Sequence, residues 1–87
     1  MADQRLMKPT VIKIDEIYVP HGLRKPLDPQ KLEEIAVSIA DIGQQSPILV
    51  RPDKERYVLV SGLHRLEACR ALGESTIIAN VVQARKH

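Results

Sequence analysis

A chain of 87 residues, 44% hydrophobic and 28% charged, has room for one modest core and no second lobe. Phe and Trp are absent and only two Tyr occur, so the core is aliphatic, and a domain of this size nets about 3–5 kcal/mol of stability. The net charge of +2 comes from interleaved signs and the lone cysteine is Cys69, which argues against a basic nucleic-acid stripe and excludes an internal disulfide.

No apolar run approaches the roughly 18 residues that span a bilayer, and no signal-peptide core is present, so the expectation is a cytoplasmic domain with no membrane partner. Residues 1–10 read as a flexible leader and residues 85–87, Arg85-Lys86-His87, as a basic tail. Residues 11–84 between them form the single domain. Val11 to Ile14 reads as a strand, extended by Ile17-Tyr18-Val19 after a turn at Asp15-Glu16. Pro20 to Leu27 holds two Pro and a Gly and reads as a loop.

Asp28 is a good N-cap and Pro29 suits a first helical turn. Leu32, Ile35, Ala36, Ile39 and Ile42 follow at helical spacing as the expected buried stripe, and Gly43 ends the helix in a left-handed cap. Ile48 to Val50 and Tyr57 to Val60 read as strands around a polar turn at Asp53-Lys54-Glu55. A second helix is predicted over Leu63 to Leu72, with Leu66, Cys69 and Leu72 inward and Gly73 as cap. Thr76 to Val82 is a last β-branched strand. The order strand, helix, strand, strand, helix, strand predicts a compact α+β domain, a small mixed sheet packed with two main helices.

The sharpest chemical feature is the junction Val58-Leu59-Val60-Ser61-Gly62-Leu63-His64-Arg65. A helix start leaves N–H groups without intrahelical partners and carries partial positive charge. Gly62 lets backbone approach an anion closely, and Arg65 offers a planar fork for phosphate oxygens. Two basic residues in a first turn oppose the macrodipole, which an anion would offset. The plainer reading is a strand–helix turn with His64 and Arg65 in solvent. On the first helix Lys31 and Ser38 project at nearly one angle with Glu34 beside them; the plainer reading there is a solvated face. Gln44-Gln45-Ser46-Pro47 stands as a candidate pocket mouth. Cys69 reads as a core residue.

The run from Ser61 through Ile77, which includes Gly62-Leu63-His64-Arg65, is similar to the signature of sulfiredoxins, with Leu27-Asp28-Pro29-Gln30-Lys31, Ser38-Ile39 and Ile42 to Ile48 matching upstream. The layout also resembles the N-terminal domain of ParB partition proteins, where Gly-Glu-Arg-Arg occupies the turn. The resemblance spans about Val11 to Val82 and implies the ParB/sulfiredoxin-like fold. It implies a site for ATP or ADP, with Mg²⁺ as the accompanying cation, held by His64, Arg65, Lys31, Ser38, Ser61 and Gly62. Glu34 departs from the Ser usual at its position. On the ParB side the same turn implies CTP, with Arg24 in the loop near the base.

Leu63 stands where sulfiredoxins place the catalytic Cys, and where ParB-type switches place a catalytic Glu. The resemblance therefore implies the binding half of either site without its chemical half, and sulfinic-acid reduction is not expected. Phosphoryl transfer or nucleotide hydrolysis stays open, with Glu34 or Glu67 as the nearby carboxylates. Two functions follow: a nucleotide-binding domain with a peroxiredoxin-like partner, or a partition or regulatory module acting in a partition complex and on DNA. Asp15, Glu16 and Asp53 are scattered in turns, unlike a nuclease carboxylate cluster.

Overall fold

A computed structural model describes residues 9–82; residues 1–8 of the assigned leader and the tail at 85–87 lie outside the described residues. The chain runs β1 (Pro9–Lys13), a 3₁₀ turn (Ile14–Glu16), β2 (Ile17–Tyr18), a second 3₁₀ turn (His21–Leu23), α1 (Pro29–Ile42), β3 (Ile48–Asp53), β4 (Arg56–Ser61), α2 (Leu63–Ala71) and β5 (Thr76–Val81). This is the expected α+β class: a five-stranded mixed sheet in the order β1-β5-β3-β4-β2, packed with two helices. β1 runs antiparallel to β5 and β3 antiparallel to β4, while β3–β5 and β2–β4 are parallel pairs.

Several boundaries move. β1 begins at Pro9, so Pro9 and Thr10, expected in the leader, pair with Asn80 and Ala79. Ile17-Tyr18 does not extend β1 but forms β2 at the far edge of the sheet, beside β4. The turn at Ile14–Glu16 carries the chain from one edge to the other, with Ile14 buried and its N–H donated to the Ser75 carbonyl. β3 runs on through Pro52 to Asp53. Pairing with β5 stops at Val50, so Pro52 has a neighbour on the β4 side alone, the edge context that a proline tolerates.

Ile12, Ile14, Ile17, Ile48, Val50, Leu59, Ile77 and Ala79 of the sheet side form one core with Leu66 and Cys69 of α2. α2 is the central helix, with Leu66 fully buried. α1 packs chiefly against α2 and contributes no fully buried residue; Ile39 touches the core from its rim. Two expectations fail for that reason. Ile42, at the end of α1, is 60% exposed, and Leu72, beyond the last turn of α2, is 38% exposed. Gly43 takes positive φ as expected, but its ψ of 174° is extended and outside the left-handed helical region.

Gln44 joins α1 to the sheet. Its Oε1 accepts from the Ile78 N–H at 2.8 Å, and its Nε2 donates to the carbonyls of Ile78 at 2.8 Å and Ser46 at 2.9 Å. Gln45 Nε2 donates to the Ile42 carbonyl at the end of α1. Both carboxamides bond backbone, and Gln44 also lines a surface cavity with Ile39, Cys69 and Ile78. Gln44→Ala leaves two half-buried groups of β5 unpaired and is expected to cost about 1–3 kcal/mol in urea denaturation.

Candidate functional site

The turn between β4 and α2 is built by three local features. A bulge between Leu49 and Val50 breaks the β3–β4 register opposite Val60, so Ser61 pairs with Leu49 and the end of β4 is re-aimed. Gly62 then takes φ 109° and ψ 33°, the left-handed region. A Cβ on Gly62 would lie 2.8 Å from Ile48 Cγ2. Glycine is therefore required twice, by its dihedral and by its seat on β3.

As N-cap, Gly62 supplies no side-chain hydrogen bond to α2. The first N–H groups of a helix have no intrahelical acceptor. α1 differs: the Asp28 carboxylate accepts from the N–H of Gln30 at 3.0 Å and of Lys31 at 3.4 Å. Its positive end is already answered within the chain. At α2 the N-cap residue makes no such side-chain bond.

The two helix starts meet. The Asp28 N–H donates to His64 Nε2 at 3.1 Å. In that bond Nε2 is the acceptor, which leaves Nδ1 as the ring position able to donate elsewhere. Arg65 is half-buried, and among the described residues its guanidinium has no hydrogen bond or ion pair. A half-buried cation at the positive end of a helix, without a counterion, is electrostatically unfavourable.

The remaining candidates divide. Lys31 is exposed beside Asp28, and the dipole argument for an external anion there is met by the Asp28 carboxylate. Ser38 is exposed about 10 Å further along α1 at the helical rise. Glu34 lies with Gln30, Glu33 and Val37 on the outer surface of α1. Glu67 pairs with Arg70 at 3.4 Å. Arg24 is turned toward β2: its Nε donates to the Val19 carbonyl at 2.9 Å, and its guanidinium lies 5.7 Å from the centre of the Tyr18 ring.

Leu63 packs on the core as a half-buried apolar residue. Burial, with the Glu74 carboxylate, pushes the Cys69 thiol up against a smaller opposing pull from Arg65. A neutral buried thiol is a poor nucleophile, so Cys69 does not replace one at Leu63. Cys69→Ala is expected to lower stability by about 1–2 kcal/mol and leave ligand affinity at the turn unchanged, read by urea denaturation and calorimetry. The Asp28–His64 bond has no local signal in the sequence. Asp28 was legible as a cap, but its pairing with a residue 36 positions away is tertiary.

The model of the ParB N-terminal domain family matches residues 2–87. A probable chromosome-partitioning protein ParB of Campylobacter jejuni is 39% identical over 71 residues, covering 80% of this chain and 26% of that protein. Its counterpart in Helicobacter pylori is 36% identical over 80 residues, covering 91% of this chain and 28% of that protein. The chain thus spans about a quarter of the length of these curated relatives. Among solved structures, sulfiredoxin from Arabidopsis thaliana superposes with a TM-score of 0.82 at 31% identity, covering 88% of this chain and 86% of that one. C-terminally truncated ParB from Caulobacter crescentus, complexed with CTP-γ-S, superposes with a TM-score of 0.77 at 26% identity, covering 91% and 46%. With this fold and a family match along almost its whole length, the chain belongs to the ParB N-terminal domain family, within the ParB/sulfiredoxin superfamily.

Proposed function

We propose that the β4–α2 turn is a phosphate cradle for a nucleotide. The observation that carries this reading is Arg65, half-buried and without a counterion beside the uncapped N–H groups of α2. The α- to γ-phosphate oxygens would accept from the first N–H groups of α2, from Arg65 and from His64, while Ser61 and Gly62 leave room for approach. Lys31 and Ser38 supply the flank on α1. Arg24 has its Nε on the Val19 carbonyl beside Tyr18 and keeps its terminal nitrogens; in the CTP reading it stands in the loop near the base and is not among the phosphate ligands.

ParB membership and the CTP-γ-S complex of the Caulobacter protein favour CTP. The likeness to sulfiredoxin keeps ATP and ADP as the second reading, because that likeness covers most of both chains. Among the described residues no three His, Cys, Asp or Glu side chains come together as metal ligands. In this reading Mg²⁺ is carried by the phosphates. Leu63 supplies no nucleophile, so the turn binds without thiol chemistry, and a partition-complex component fits better as partner than a peroxiredoxin. Any contact with DNA belongs to such a complex.

Calorimetric titration with CTP, ATP and ADP, each with Mg²⁺, tests the reading. Saturable binding of at least one is expected, and a cytidine or adenine preference separates the two readings. Absence of heat with all of them at millimolar concentration would overturn both.

A further inference from the structure

A cluster of arginines lies at the other end of β4, roughly 16 Å from the turn before α2 at the rise of a strand. The register places Tyr18, Val58 and Arg51 in one row across β2, β4 and β3, hence on one face of the sheet. Arg56, two residues before Val58, shares that face. Its guanidinium stacks 4.2 Å from the centre of the Tyr18 ring, and Arg24 approaches the same ring at 5.7 Å. Val58 is buried yet absent from the core shared with the helices, so it forms an apolar floor beneath this group.

These arginines are pre-positioned with donors to spare. Arg56 Nε is taken by Asp53 at 3.2 Å and Arg24 Nε by the Val19 carbonyl at 2.9 Å, which fixes each plane while leaving the terminal nitrogens. Arg51 is exposed and has no hydrogen bond or ion pair among the described residues. A guanidinium held over an aromatic ring loses little entropy on gripping a carboxylate with its fork. Tyr and Arg over an apolar floor are also the residue types that protein interfaces favour.

We propose that this corner docks a short acidic segment of a partner protein, its carboxylates meeting Arg24, Arg51 and Arg56 and an apolar side chain resting against Tyr18. Charge placement favours carboxylates over a nucleic-acid strand. Asp53 and Glu55 sit in the same hairpin, and Asp15 and Glu16 directly precede β2, so positive charge is confined to a small area. A polyphosphate backbone extends charge past this area and would meet those carboxylates, whereas a segment with carboxylates spaced between apolar residues can set them on the arginines alone.

Fluorescence anisotropy with a labelled peptide of alternating Asp and Leu tests this on the full chain. Saturable binding is expected, with no binding of the same peptide carrying Asn for Asp. The double variant Arg51→Gln/Arg56→Gln should weaken it at least about tenfold. Arg24→Gln should give a smaller loss in the same direction, and serves as the readout if the double variant melts early. Arg70→Gln, which removes the same charge from α2, should leave affinity unchanged. Failure of the acidic peptide to bind, equal binding of the Asn peptide, affinity insensitive to these arginines, or tighter binding of oligo-dT than of the peptide would each overturn the proposal.

Discussion

Gly62→Ala is expected to lose most of the folded population. An L-residue held at φ 109° is in the left-handed region, at a cost of about 1–2 kcal/mol. The added methyl would also sit 2.8 Å from Ile48 Cγ2 and 3.0 Å from Ile48 Cβ. Ile48 is 1% exposed and cannot swing away. Overpacking of this kind costs about 1–3 kcal/mol. Together the two effects reach about 2–5 kcal/mol, comparable with the whole stability of a domain this small. Urea denaturation followed by circular dichroism measures it. A wild-type midpoint in the variant would mean that Gly62 is neither strained nor packed as described.

Arg65→Ala is expected to separate binding from stability. A charge-assisted bond contributes about 1.5–3 kcal/mol, so its loss weakens nucleotide binding about 10- to 150-fold. Stability should move the other way or stay level. A cation in the first turn of α2 opposes the macrodipole, and removing it returns up to about 0.3–1 kcal/mol. Arg65→Lys keeps the charge but loses the planar fork, and should fall between wild type and alanine in affinity. Calorimetry and a melting curve on the same samples read both quantities. A variant that binds normally but melts early would assign Arg65 to the fold instead of the ligand.

The contrast between the two helix starts explains why their sequences invite the same inference and deserve different ones. Lys31 and Arg65 both violate the helix dipole. At α1 the violation is answered internally, since the Asp28 carboxylate accepts from the Gln30 and Lys31 N–H groups. At α2 the cap is Gly62, which has no side chain to offer. His64 then ties the two ends together through the Asp28 N–H. His64→Ala would leave that N–H without its acceptor, so this variant combines a loss of phosphate contact with a loosening of α1.

Local chemistry was the legible part of the fold. Asp28-Pro29 and Gly43 bounded α1, Gly62 and Gly73 bracketed α2, and the apolar runs on either side of the polar turn Asp53-Lys54-Glu55 gave the β3–β4 hairpin. Sheet order was not legible. Ile17-Tyr18 follows β1 closely, yet it pairs with β4 at the opposite edge, a choice made by long-range partners. The exposure of Ile42 and Leu72 was missed for a related reason. Helical spacing predicts one apolar face but not how far along its length a neighbour covers it. At the turn, residue types pointed to Gly62, His64 and Arg65 as candidates, whereas the position of Arg24 beside Tyr18 depends on where β2 docks.

The central claim, that phosphates seat at the start of α2 beside the start of α1, is tested most directly by amide NMR during titration with CTP and then with inorganic triphosphate. The amide signals of Leu63, His64 and Arg65 should shift with both ligands, and those of Asp28, Gln30 and Lys31 should follow through the His64 bond. Amides of the β3–β4 hairpin at Lys54 and Glu55 should stay in place. Shifts confined to that hairpin, or a spectrum unmoved by either ligand at millimolar concentration, would contradict the account.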